Sequence, residues 1–228
     1  MGDTAYREFL RADWDLDFRA ELYKEEFFAS RSWALDRDNL VDPWPGSTRD
    51  ELADLVRLKT EERLDHVGEI IREQQALVMI GYWYALLKFG PKTHPHTTEL
   101  LTASMYLAGA VATYAKARFN RVRPSLLAPD LAPPIPLPGH PAYPSGHSTQ
   151  MYLMALVLAE LVPMAMKQLF QQAATVARNR ERAGLNYRSD TEAGQALAQR
   201  IFKILKDDCR NTFGKTLRDA RKSEWASA

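Results

Sequence analysis

The sequence predicts an all-α protein folded as a single-domain helical bundle. Apolar residues recur at helical spacing through most of the chain, which is the primary sign of amphipathic helices. Val, Ile and Thr never alternate with polar residues over a convincing stretch, so almost no sheet is expected. The length of 228 residues suits one domain. With 46% hydrophobic and 26% charged residues, the chain can build a sizeable core, which excludes a disordered protein.

The chain begins with an acidic, aromatic segment over residues 1–45. It contains Trp14, Trp33 and Trp44, and we expect short helices that pack on the core. A proline- and glycine-containing break follows. The remainder, 46–228, is predicted to be one helical domain.

The helices of that domain follow in order. Ser47 and Thr48, with Asp50 and Glu51 behind them, are typical of a helix start, and apolar residues then recur at helical spacing up to Ile71. Further helices are predicted over about 76–88, 98–118, 146–162 and 164–183, and from Asp190 to about Lys222. Residues 124–144 contain eight prolines and are predicted to be a long ordered loop.

Several classes of protein are excluded by composition. The single cysteine, Cys209, cannot form an internal disulfide. The longest apolar run, from Ala76 to Leu87, is too short to cross a bilayer, so no membrane span is expected. The first residues lack the basic and apolar regions of a signal peptide. We therefore expect a soluble, cytoplasmic protein, or a periplasmic or secreted one if a leader has been removed.

The formal net charge of +1 hides an asymmetry along the chain. Residues 1–75 hold 11 basic and 19 acidic side chains, whereas the remaining residues hold 19 basic and 10 acidic ones. The later part of the chain therefore favours anions or must be kept apart from the acidic first third, which is a candidate cover for it.

A first cationic segment runs from Lys116 to Pro124. Lys116 and Arg123 are seven residues apart, so they lie two turns apart on one helical face. Two cations on one face suit an oxyanion with several oxygens. The alternative is a solvated basic helix end, which also satisfies the helix dipole.

A second segment, Pro144-Ser145-Gly146-His147, ends the proline-rich loop and opens an apolar helix. Backbone amides at a helix start bind anions, and glycine lets the backbone approach closely. His147 then stands where it can donate a proton to a leaving oxygen. The alternative is an ordinary N-cap serine and a histidine that faces solvent.

A third segment contains Arg180, Asn186 and Asp190. Arg180 supplies another guanidinium, and Asp190 lies four residues beyond Asn186, within hydrogen-bonding reach. Taken alone, the segment is equally typical of a joint between two helices with ordinary caps.

Together, the order and spacing resemble the type-2 phosphatidic acid phosphatase superfamily, which includes class A bacterial acid phosphatases and vanadium haloperoxidases. The family pattern is Lys, six residues and Arg-Pro; then Pro-Ser-Gly-His; then Ser-Arg, five residues, His, three residues and Asp. The first two motifs match in full. The third matches at Arg180 and Asp190, with Asn179 in place of Ser and Asn186 in place of His. The resemblance covers about 98–210, is closest to the soluble class A acid phosphatases, and implies their type of helical bundle.

The resemblance also implies a role for each matching residue. Its phosphate-binding set is Lys116, Arg123, Ser145, Gly146 and Arg180, and its catalytic set is His147, Asn186 and Asp190. His147 would be the general acid, and Asp190 would orient the imidazole that stands at position 186 in the family and becomes a phosphohistidine. No metal and no cofactor is expected, except vanadate if the protein is a haloperoxidase.

Asn186 is the most informative departure, because an amide does not attack phosphorus. We favour an engineered replacement of a native His over natural loss, since His147 and the rest of the set are intact. The chain as given is then a severely impaired or inactive form of a metal-independent phosphatase acting on a phosphate monoester or diphosphate.

Two alternatives stay open: a natural pseudoenzyme or phospho-ligand binding protein, and a vanadium-dependent haloperoxidase. In each case the expected partner is a small phosphorylated molecule or oxyanion. Nucleic acid is not expected, because the basic residues between Arg200 and Arg210 are interspersed with acidic ones. The resemblance makes a homodimer a reasonable expectation. His140 is interpreted as a loop residue that lies, at most, at the pocket mouth.

Overall fold

The computed structural model describes residues 13–44 and 48–226. These residues form helices joined by turns and loops, with no strand among them, so the all-α prediction is confirmed for these residues. The helices are α1 (Leu16–Phe28), α2 (Arg31–Asp36), α3 (Thr48–Glu61), α4 (Arg63–Arg72), α5 (Ala76–Leu87), α6 (Pro95–Phe119), α7 (Pro124–Leu127), α8 (Gly146–Leu161), α9 (Met166–Arg182), α10 (Arg188–Asp208) and α11 (Phe213–Ser223). The predicted helix start at Ser47 and the break at Pro45 and Gly46 lie outside the described residues.

Two predicted helices are each divided in the structure. The stretch up to Ile71 breaks between α3 and α4 at Glu62, whose carboxylate bonds Arg178 and Arg182 of α9. The last stretch breaks between α10 and α11, where the amides of Asn211 and Thr212 donate to the Glu26 carboxylate on α1. In both places a distant ionic partner lies at the break, and periodicity within one segment cannot reveal such a partner.

Helix α8 forms the centre of the molecule. It packs against α6, α9 and α10, and Met151, Leu153 and Leu158 on its different sides are fully buried. A helix that is apolar all round is covered all round. The acidic N-terminal segment adds to the same core, because Tyr23, Phe27 and Trp33 are buried in it.

Helix α1 is fixed to α6 by polar contacts as well as by packing. Arg19 forms an ion pair of 2.7 Å with the buried Glu99, and the Tyr23 hydroxyl donates to the same carboxylate at 2.8 Å. None of the helices in the described ranges has the length and apolar character needed to cross a membrane.

The three sequence motifs meet at one end of the bundle. The last turn of α6 carries Lys116, α8 begins at Gly146, and the last turn of α9 carries Arg180. Asp190 lies in the first turn of α10. The proline-rich segment, which contains α7 and a short 3-10 turn at Pro129–Leu131, crosses this end.

Candidate functional site

A cavity of about 200 Å³ opens at this end of the bundle. Six of the eight predicted site residues line it: Lys116, Arg123, Gly146, His147, Arg180 and Asn186. Ser145 and Asp190 are fully buried behind them. The structure therefore brings together residues that are up to 74 positions apart in the chain.

Lys116 is anchored by the proline-rich segment. Its Nζ donates to the backbone carbonyls of Pro141, Ala142 and Pro144 at 2.8, 3.0 and 2.6 Å. Burial, with the nearby Arg123 cation, lowers the pKa of Lys116 to about 7. The ammonium thus holds the loop in place and gains or loses its charge near neutral pH.

Arg123 joins the loop to the third motif. Its Nη1 donates to the carbonyl of Leu185 at 2.7 Å and to Oδ1 of Asn186 at 3.2 Å, while Nε donates to the carbonyl of His140 at 3.1 Å. Burial lowers the pKa of Arg123 to about 10, so it is a cation at neutral pH. These bonds, with those of Nη2 to His140 and to the carbonyl of Pro141, fix the position of the charge.

Arg180 differs from the other two cations. It is only 3% exposed, yet among the described residues neither Nε nor Nη1 has a hydrogen-bond partner. Burial lowers its pKa to about 10, so the guanidinium is charged. A buried, charged donor without an acceptor is costly. Arg180 is also one of the residues that line the cavity.

The second motif begins α8 as predicted. Ser145 is the N-cap, and its Oγ accepts from the amide of Ser148 at 3.3 Å. The Ser145 hydroxyl lies behind the cavity wall, whereas Gly146 lines the cavity. A Cβ at Gly146 would meet no atom within 4 Å, so a side chain there would project into open space. The helix start therefore presents bare backbone to the cavity.

His147 is held by a residue that the sequence did not indicate. Its ring Nε2 lies 3.0 Å from the backbone carbonyl of Glu73, which follows α4. Because a carbonyl only accepts, Nε2 carries the hydrogen and Nδ1 is the nitrogen left for a ligand. Burial, with the nearby Arg180 cation, holds the pKa of His147 well below its usual range, so the unliganded imidazole is neutral.

Asn186 and Asp190 form the predicted hydrogen bond, 3.1 Å from Nδ2 to Oδ2. The Asn186 amide also donates to the carbonyl of Ala142 at 2.9 Å and accepts from Arg123. Both amide hydrogens and the carbonyl oxygen are thus bonded. An amide at this position is well accommodated.

Asp190 is supported by a network that sequence reasoning missed. Its Oδ1 accepts from Arg121 Nη1 at 2.7 Å, and Arg121 Nη2 donates to Glu51 of α3 at 2.6 Å. The Arg121 guanidinium lies 3.8 Å from the centre of the Tyr187 ring. Burial raises the pKa of Asp190, and the Arg121 cation opposes that rise. The charge of Arg121 was visible in the first motif, but its partners are distant in sequence.

His140 lies in the cavity wall rather than in an unrelated loop. Its Nδ1 is 3.0 Å from Arg123 Nη2. Burial lowers its pKa, and the surrounding cations add to that effect. The proline-rich segment therefore contributes an imidazole to the wall of the cavity that His147 also lines.

Part of the chain is similar in sequence to known proteins. Residues 99–207 match the family model of the PAP2 superfamily. An acid phosphatase of Zymomonas mobilis is 27% identical over 184 residues, covering 78% of this chain and 63% of the relative. A non-specific acid phosphatase of Salmonella typhimurium is 31% identical over 126 residues, covering 52% of this chain and 50% of the relative. The chain thus spans between half and two thirds of the length of these curated relatives.

One solved structure aligns with most of the chain, at a low TM-score. It is the crystal structure of a transmembrane PAP2-type phosphatidylglycerolphosphate phosphatase from Bacillus subtilis, with a TM-score of 0.37 and 15% identity over 84% of this chain and 92% of that one. The range that the family model matches contains all three motifs. Residues 99–207 are therefore similar in sequence to the PAP2 superfamily, and acid phosphatases are among the proteins that the chain resembles.

Proposed function

We propose that the cavity binds the phosphate group of a small phosphorylated molecule, and that the chain is a phosphatase whose turnover requires a histidine at position 186. The observation that carries the proposal is the state of Arg180. Its guanidinium is buried in the cavity wall without a hydrogen-bond acceptor among the described residues. Phosphate oxygens are the acceptors that guanidinium geometry suits best.

The other groups complete an oxyanion cradle. Lys116 and Arg123 are buried, and no carboxylate of the described residues forms an ion pair with either of them or with Arg180. Gly146 adds the amide end of α8, which carries partial positive charge. A dianion therefore meets three cations that no carboxylate of the described residues pairs with, and Arg180 still has hydrogens to donate to it, without a metal ion.

His147 is suited to protonate the leaving oxygen. The imidazole is neutral without a ligand, and a bound phosphate dianion would favour its charged form. The proton then lies on Nδ1, because Nε2–H is already directed to Glu73. In this mechanism Nδ1–H is given to the ester oxygen as the bond from phosphorus to that oxygen breaks.

The nucleophile is the group that the chain lacks. With His at position 186, an imidazole nitrogen would form a bond to phosphorus, and Asp190 would accept the hydrogen of the other ring nitrogen. Water would then cleave the phosphohistidine and release inorganic phosphate. Asn186 preserves the bond to Asp190 but supplies no nucleophile.

The test is the variant Asn186→His, assayed with p-nitrophenyl phosphate without added metal. Because a catalytic nucleophile is restored, we expect turnover to rise on the order of 10⁴-fold or more over the chain as given. Phosphate and vanadate should inhibit it, and Asn186→Gln, which retains an amide, should stay inactive. A failure of Asn186→His across a broad panel of phosphate esters would contradict the proposal.

A second candidate is a phospho-ligand binding protein in which Asn186 is the native residue. It is favoured by the three hydrogen bonds of the Asn186 amide. Tight binding of a phosphorylated metabolite by the chain as given, with no turnover by Asn186→His, would support it. The engineered origin of Asn186 stays a prediction, which the natural codon at this position decides. Bromination by Asn186→His with vanadate and peroxide would instead indicate a haloperoxidase.

A further inference from the structure

The turn between α4 and α5 contains a buried carboxylate that the proposed reaction does not use. Glu73 is 1% exposed and directly follows α4. Its backbone carbonyl accepts from His147 Nε2 at 3.0 Å. Its side-chain Oε1 accepts from Asn179 Nδ2 at 2.9 Å and from the Tyr82 hydroxyl at 3.3 Å. One residue thus connects the imidazole of the site to α5 and α9.

The contact with Glu73 accounts for the asparagine at position 179, where the family pattern has a serine. Asn179 immediately precedes Arg180, and its amide donates to both Glu73 and Glu69 while accepting from Arg182 Nη1 at 2.8 Å. A serine hydroxyl has one hydrogen and cannot donate to two carboxylates at once. The asparagine therefore matches the two carboxylates at the end of α4.

We propose that Glu73 is a positioning residue for His147. The Glu73 carboxylate, clamped by Asn179 and Tyr82, fixes the turn after α4, so that the carbonyl of the same residue holds the His147 ring by Nε2–H. This leaves Nδ1 to deliver the proton to the leaving oxygen. The inference rests on the proposed function for the role of His147 as general acid, but the ring orientation and tautomer do not depend on it.

The first test uses the chain as given and needs no activity. Nitrogen NMR of the five imidazoles, with His147 assigned by the His147→Gln variant, reports the tautomer of each ring. We expect the Nε2–H form in the unmodified chain and in Glu73→Gln, and a mixture of tautomers in Glu73→Ala. Glu69→Ala removes a neighbouring carboxylate that does not contact His147 and is the matched control. The cations that face His147, namely Lys116, Arg123 and Arg180, are unchanged in every variant.

The second test compares leaving groups in the Asn186→His background. An alkyl phosphate needs a general acid, whereas p-nitrophenyl phosphate has a leaving group that departs readily without one. We expect Glu73→Ala to lower kcat on the order of 10²-fold for the alkyl ester but only about threefold or less for the nitrophenyl ester. A merely structural defect would lower kcat equally for the two esters. Glu73→Gln should restore the ratio of the two kcat values to that of the protein with Glu73 intact.

Asn179→Ala provides a milder variant in case Glu73→Ala does not fold. This variant removes the amide donor to Glu73. It should produce the same mixture of His147 tautomers and the same selective loss of kcat for the alkyl ester. An unchanged tautomer and an unchanged ratio of the two kcat values in both variants would overturn the proposal. If Asn186→His with Glu73 intact hydrolyses neither ester, the proposed function fails, and the NMR result still decides the role of Glu73.

Discussion

At the scale of single residues, the three cations of the cavity are not equivalent. Lys116 and Arg123 donate hydrogen bonds to backbone carbonyls and to Asn186. Arg180, in contrast, has N–H donors without acceptors among the described residues. The sequence motifs predicted that these side chains would converge. They could not predict which of them would be free, because that depends on carbonyls from the proline-rich segment, and loop conformation leaves no periodic signal.

The charge of Lys116 gives a prediction for anion affinity against pH. Burial lowers its pKa to about 7, and a bound anion favours the protonated form, so binding takes up a proton above pH 7. Sulfate is a dianion throughout this range, and the lowered pKa values of His140 and His147 leave both imidazoles uncharged there. We therefore expect sulfate affinity, measured by calorimetry, to fall by up to about tenfold per pH unit above pH 7.

The variant Lys116→Met is the control for this prediction. Lys116→Met should bind sulfate more weakly at pH 7, and its sulfate affinity should decline less steeply between pH 7 and 9, because only proton uptake by an imidazole then remains. Arg123 and Arg180 stay charged across this interval, since the pKa of each is about 10. A decline of equal steepness in Lys116→Met would show that another group titrates.

At the scale of elements, the site depends on the close approach of α10 to the start of α8. The amide of Ser145 donates to the carbonyl of Asp190 at 2.9 Å, and the Ser148 hydroxyl donates to the carbonyl of Thr191 at 2.7 Å. Gly194 lies at this contact, where a Cβ would come within 2.6 Å of the Ser145 carbonyl oxygen. Periodicity predicted both helices, but the glycine that lets them touch was not distinguished from any other small residue.

Gly194→Ala tests this contact. The added methyl group meets backbone, which cannot move aside cheaply, so we expect a loss of about 1–3 kcal/mol in the free energy of unfolding. Phosphate affinity should fall as well, because the turn before α8 must shift. The matched control is Gly81→Ala in α5, where a Cβ meets nothing within 4 Å. Chemical denaturation measures the free energy of unfolding of the two variants, and an equal loss in Gly194→Ala and Gly81→Ala would contradict the role of Gly194.

At the scale of the whole molecule, the charge asymmetry of the sequence separates two groups of cations, those that form ion pairs with the acidic first third and those that line the cavity. Carboxylates of the acidic first third pair with cations that do not line the cavity: Asp38 with Arg118, Asp42 with Arg200, Glu51 with Arg121, and Glu62 with Arg178 and Arg182. The cavity cations Lys116, Arg123 and Arg180 form no such pair within the described residues. The positive charge in the cavity is therefore left for a ligand.

The most direct test of this account is calorimetric titration of the chain as given with inorganic phosphate. We predict binding that Arg180→Gln weakens by about ten- to a hundredfold, the worth of hydrogen bonds to a charged group. Arg178→Gln, which removes an arginine of the same helix that is already paired with Glu62, should bind phosphate as the unmodified chain does. Absence of phosphate binding, or an equal loss in the two variants, would contradict the claim that the cavity is a phosphate site centred on Arg180.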